Sequence, residues 1–152
     1  MQQAAAAKTS KGQKLKSENE RKRRATSETT YSPQHDRLQN ALHHYLSKKF
    51  GKAKVRYESD FVDLAVEADG ETTFFEVKIA PTPKRCIRDA IGQVLEYAVY
   101  PDQRRALRLV VVGDGRTSAS DVSYLRYLCD EFKIPLYYRR WDWDSKTLGE
   151  ET

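Results

Sequence analysis

Three charged residues set the chemistry. Asp63, Glu76 and Lys78 lie in the stretch FVDLAVEADGETTFFEVKIA, amid Phe, Val and Ile. Charges beside apolar residues are costly unless something pairs with them. Asp69-Gly70 in the middle of the stretch is a strong signal for a two-residue hairpin turn. That turn places Ala68 opposite Glu71, so Asp63 faces Glu76 and Phe61 faces Lys78. Side chains alternate along a strand and opposed residues share a face, so the three charges converge. The two carboxylate Cβ atoms are then about 4.5–5.5 Å apart. Carboxylates that close repel, and one takes up a proton unless a cation intervenes. Mg²⁺ suits the spacing, because it takes hard oxygen ligands and often only one or two carboxylates. On the opposite face fall Val62, Leu64, Val66, Phe75, Val77 and Ile79, which should bury against a helix. The blander reading is a Glu76–Lys78 ion pair with Asp63 as a solvated charge, since Glu-x-Lys alone is a weak motif.

The next helix, RCIRDAIGQVLEYAVY, adds polar groups. Ile87, Ala90, Ile91, Val94 and Ala98 form its apolar stripe. Gln93 and Tyr97 are four apart and therefore neighbours, and Tyr100 extends their face. They form either a self-satisfied pair or a polar shelf beside the acids. Lys84, Arg85 and Arg88 near the helix start, with Arg104 and Arg105, are candidate phosphate contacts or a solvated basic surface.

These residues together resemble the PD-(D/E)xK nuclease superfamily. Asp63 matches its metal-binding acid, Glu76-Val77-Lys78 its (D/E)xK element, and Gln93-x-x-x-Tyr97 the QxxxY signature of branches related to RecB-type nuclease domains. The likeness runs over about residues 37–140. It implies a restriction-endonuclease-like fold and a DNA nuclease, endonucleolytic, of a defence, restriction or repair system. RNA remains an open substrate. By the resemblance, Asp63, Glu76 and the Val77 carbonyl hold Mg²⁺ or Mn²⁺. Lys78 orients the attacking water or neutralises the phosphate; beside two carboxylates its charged form is favoured, which points to electrostatic help. Gln93 and Tyr97 position the nucleic acid or brace the site. Two features depart from the pattern. Val62 stands where the family name has Pro, and the first helix carries no Glu, offering His43 and His44, with Asp36 at its start as its only acid. The alternative is an inactive module of the same fold that binds nucleic acid or a partner protein.

The elements that must position these residues follow from periodicity. Leu38, Ala41, Leu42, Tyr45, Leu46 and Phe50 predict a helix over 35–50, stopped at Gly51. Strands are expected over 54–58, 61–67 and 72–79. Pro81 and Pro83 break the chain before the helix over 85–100, which Pro101 ends. LRLVVV (107–112) reads as a central strand covered on both faces. Ser118 with Asp121 resembles a capping box opening a third helix, with Val122, Leu125, Leu128 and Phe132 inward. A last strand covers 134–138, and the end, WDWDSKTLGEET, is expected to fray or dock locally. The order α-β-β-β-α-β-α-β predicts an α/β fold, a mixed sheet of about five strands flanked by helices.

The chain has 152 residues, 39% apolar and 32% charged, with net charge +5. That suits one domain. The first 32 residues hold eight basic and three acidic side chains, which leaves 19 of each in the remainder. The basicity thus belongs to a tail, read as a disordered linker over 1–32 ahead of a domain over 33–143 and a tail over 144–152. Its RKRR cluster suits phosphate contact or targeting. The formally neutral domain is not a strong DNA binder by itself, so the tail, a homodimer mate or a partner subunit is expected to deliver it. Tyr137, Tyr138, Trp141 and Trp143 are either a self-association patch or packing over the sheet. No apolar run approaches the roughly 20 residues that span a bilayer, and no secretory signal is visible. A cytoplasmic chain is expected, nucleoid-associated if prokaryotic, with Cys86 and Cys129 as buried thiols rather than a disulfide.

Overall fold

The computed structural model describes residues 32–57 and 61–152. The basic tail expected over residues 1–32 lies, apart from Ser32, outside the described residues, as does the far end of the first expected strand. Among the described residues three α-helices and six strands follow in the order α1 (Pro33–Phe50), β1 (Val55–Tyr57), β2 (Leu64–Ala68), β3 (Glu71–Val77), α2 (Pro83–Val99), β4 (Arg108–Gly113), α3 (Ala119–Asp130), β5 (Leu136–Asp142) and β6 (Thr147–Glu151), with a short 3-10 turn over Lys52–Lys54. The strands sit in one sheet in sequence order. β1–β2 and β2–β3 are antiparallel, β3–β4 and β4–β5 parallel, and β5–β6 antiparallel. The α/β class and mixed sheet hold, with six strands rather than five.

The helix starts are chemically defined. Ser32 and Thr82 accept from the backbone N–H of His35 and Arg85, capping α1 and α2. Pro33 and Pro83 occupy the first turns, where a missing N–H costs nothing. Pro83 therefore opens α2 rather than breaking the chain. Ser118 and Asp121 form the expected reciprocal capping box of α3.

Alternation along the strands feeds two cores. Leu38, Leu42 and Leu46 of α1 pack with Leu64, Val66, Phe75, Val77, Val110 and Val112. On the other face Ile87, Ala90, Val94 and Ala98 of α2, with Leu125 and Leu128 of α3, pack with Ala65, Phe74, Leu109 and Val111. β4 is covered on both sides, as its apolar run requires. Gly113 at its end allows close approach. A Cβ there would stand 2.9 Å from the Tyr138 hydroxyl, 3.0 Å from Cys86 Sγ and 3.3 Å from the Lys78 carbonyl.

Several expectations are corrected. β2 begins at Leu64, not Phe61, because Phe61 has φ +68 and cannot extend the strand. Val62 in consequence joins the α2-side core rather than the α1 side. Phe132 lies beyond α3, is exposed and meets Tyr127 edge-on. The C-terminal residues form β6. Asp142 accepts from the N–H groups of Asp144 and Ser145, turning the chain back, and Leu148 buries in the α1-side core. Tyr138 and Trp141 are buried and Tyr137 and Trp143 partly so, which makes the aromatic group packing over the sheet. Cys86 and Cys129 are free thiols, the second only half-buried.

Candidate active site

The hairpin register is the one the Asp-Gly turn demands. Ala68 pairs with Glu71 and Leu64 with Phe75. The ladder ends one residue before Asp63, yet Asp63 stays at the site because its Oδ2 accepts the Val77 N–H at 2.7 Å. Val77 thus enters through its backbone. Glu76 points to the α2 side of the sheet, 5% exposed. Its Oε1 accepts from Lys78 Nζ at 2.9 Å. Lys78 Nζ also donates to Gln93 Oε1 at 2.7 Å. An ammonium can only donate, so the Gln93 oxygen faces it and its NH₂ turns to the Tyr97 hydroxyl at 3.4 Å. The end of β3 and one face of α2 therefore share a continuous polar chain, and Asp63 is tied to that strand end through the Val77 N–H.

Burial is the first cause that raises the Glu76 carboxyl above the usual carboxylate range, and the Asp63 charge the second; Lys78 opposes both. Glu76 Oε2 is buried with no hydrogen-bond partner among the described residues. A buried acceptor that also feels the charge of a second carboxylate fits a cation better than a neutral solvent-excluded gap. Among the described residues no group of three His, Cys, Asp or Glu side chains forms a ready cage. Mg²⁺ is commonly held by one or two carboxylates plus water, so Asp63, Glu76 and the Val77 backbone suffice in kind.

Two residues escaped the sequence reading. His35 Nε2 lies 3.4 Å from Asp63 Oδ2. Gln39, 2% exposed, donates to the Asp63 carbonyl at 3.3 Å. They are four apart on α1 and continue the stripe of Leu42 and Leu46 toward the helix start, which is the signal that marks them. His43 instead packs edge-on against Tyr57 and His44 is exposed, so neither reaches the site. Lys84, Arg85 and Arg88 are exposed, and Arg85 is paired with Asp89 at 2.8 Å. Arg104 bonds the Ala106 carbonyl, and Arg105 those of Tyr97 and Tyr100.

The hydrogen bond to Asp63 is the largest cause holding the His35 pKa above 6.5, ahead of the lowering by burial. A raised folded-state pKa stabilises the fold fully below pH 6.5 and loses that contribution as pH rises through the folded value. NMR titration of the metal-free protein should give His35 a midpoint above 6.5, and Asp63→Asn should bring it down. A midpoint unmoved by that substitution would place His35 away from Asp63.

No protein-family model matches the chain, and neither a curated protein nor a solved structure does.

Proposed function

We propose that this chain is a Mg²⁺- or Mn²⁺-dependent nuclease that hydrolyses phosphodiester bonds in DNA, with a restriction-endonuclease-like core, serving defence, restriction or repair. One observation supports the reading: the bonded chain Glu76–Lys78–Gln93–Tyr97 beside Asp63 leaves Glu76 Oε2 buried and without a partner among the described residues. Asp63, Glu76 and the Val77 carbonyl would hold a divalent cation, which would supply charge stabilisation at the scissile phosphate and a more acidic water.

The chain's own residues do the rest. The Val77 N–H fixes one Asp63 oxygen, and His35 approaches the same atom, so the carboxylate is oriented before substrate arrives. Lys78 spends two of its three donors on Glu76 and Gln93. The third is left for a phosphate oxygen, where a fixed positive charge favours the transition state. Gln93, itself bonded to the Tyr97 hydroxyl, holds that ammonium, and the exposed sides of both residues are available to the strand. The exposed Lys84 and Arg88 are available to its phosphates.

The inactive-module reading draws on α1, which presents His35 and Gln39 to the site but no acid. Incubation with supercoiled, linear and single-stranded DNA, with and without Mg²⁺ or Mn²⁺, separates the two. Metal-dependent cleavage is expected, and Lys78→Ala should cut it about 10²–10³-fold. Asp63→Asn should abolish it. Cleavage that persists in both variants points to a contaminant or another site; DNA binding without any cleavage selects the module.

A further inference from the structure

An aromatic surface borders the candidate site and shares one residue, Tyr97, with its polar chain. Phe61 is 86% exposed and Tyr100 66%. The Phe61 ring lies 5.9 Å from that of Tyr97, tilted by 35°. With Glu96, Pro101 and Arg105 these three rings line a cavity of about 280 Å³. Three features set the surface apart from incidental exposure. Phe61 is held at φ +68, a conformation costly for a bulky side chain, with its ring directed at Tyr97 rather than into the core. Arg105 Nη1 donates to the carbonyls of both Tyr97 and Tyr100, at 3.0 and 2.7 Å, and so ties down the backbone that carries two of the rings. Tyr97 belongs to both systems, since its hydroxyl meets Gln93, which meets Lys78.

We infer that Phe61, Tyr97 and Tyr100 form a stacking platform for unpaired bases, which makes single-stranded nucleic acid, or the frayed end of a duplex, the substrate class. Aromatic rings beside a cationic group bind strands without regard to sequence, because every base has a π-face. A paired base keeps its faces against its neighbours and offers the rings nothing, so an intact duplex gains only phosphate contacts. The platform joins the Gln93–Lys78 bond directly, through the Tyr97 hydroxyl on Gln93. A strand stacked there would deliver the adjacent phosphate toward the acids. The inference rests on the nuclease reading for the meaning of that adjacency, not for the stacking itself.

Fluorescence anisotropy of the full chain in excess chelator tests it, with a labelled oligothymidylate and a duplex of equal length. The single strand should bind at least about tenfold more tightly than the duplex. Phe61→Ala should lose most of that preference, Tyr100→Ala part of it, and Phe61→Tyr should keep it. Equal affinity for the two nucleic acids, or an unchanged preference in Phe61→Ala, overturns the platform. So does a shift from dimer to monomer in Phe61→Ala without loss of strand affinity, which would assign the rings to a protein interface. Metal-dependent cleavage by the wild-type chain is scored separately. Strand preference without cleavage upholds the platform and removes the nuclease; cleavage without preference does the reverse.

Discussion

Glu76→Gln is expected to give a protein that is more stable and inactive. The carboxyl is raised from its ordinary value of 4.5 first by burial, then by the Asp63 charge. An acid with a raised folded-state pKa favours folding in its protonated form, and its ionised form opposes folding above the folded value. Gln is neutral at every pH. Its oxygen can keep the bond to Lys78 while its NH₂ takes the place of Oε2, so that no charge is left there to be repelled by Asp63. The variant should therefore melt above the wild type at pH 7–8. The gain should shrink as pH falls through the folded value and vanish below 4.5. Cleavage should fall about a thousandfold or more, a loss typical of removing a group that faces developing charge. Melting curves at pH 4 and pH 8, with rates measured on the same preparation, decide the matter. A destabilised variant at pH 8 would mean that the Lys78 ion pair outweighs burial and repulsion.

Trp141→Ala should be the most damaging substitution for the fold. Trp141 is 1% exposed and packs edge-on against Tyr45 of α1 and Trp143, at 5.9 and 6.0 Å. It closes the α1-side core over the far strands. Truncating a buried Trp to Ala costs about 3–5 kcal/mol, a large share of the roughly 5–15 kcal/mol that holds a domain. The Nε1–H has no partner among the described residues, so burying it is a standing cost. Trp141→Phe removes that donor and most of the cavity, and should cost far less. Urea titration followed by circular dichroism gives both values. A loss below about 1 kcal/mol for Trp141→Ala would show that α1 is not seated on this ring.

The geometry of the candidate site was legible because its positioning device is local. A two-residue Asp69-Gly70 turn sets the register, and the register sets which side chains meet Glu76. Gln93 and Tyr97 were legible because helical spacing alone makes them neighbours. His35 and Gln39 were only half legible: helical spacing places them on the buried stripe of Leu42 and Leu46, but which strand that stripe meets depends on where α1 sits across the sheet. The strand reading failed where backbone conformation departs from residue type. Phe61 suits a strand by composition but takes φ +68. The turn before β6 has no Gly; Lys146 takes φ +54 there and Asp142 supplies the hydrogen bonds. A turn made of Asp, Ser and Lys reads as a polar tail.

β6 carries a practical consequence. Tyr138 and Thr152 exchange backbone hydrogen bonds, Arg139 Nε donates to the Gly149 carbonyl at 2.6 Å, and Arg108 pairs with Glu151. A clone ended at Trp143 would strip this strand away. It would uncover Trp141 and leave the outer ladder of β5 open over its seven residues. An uncovered, aromatic-rich sheet margin recruits other chains and precipitates. Poor solubility of such a clone would report on the missing strand and not on the acids of the β2–β3 hairpin or the rings beside α2.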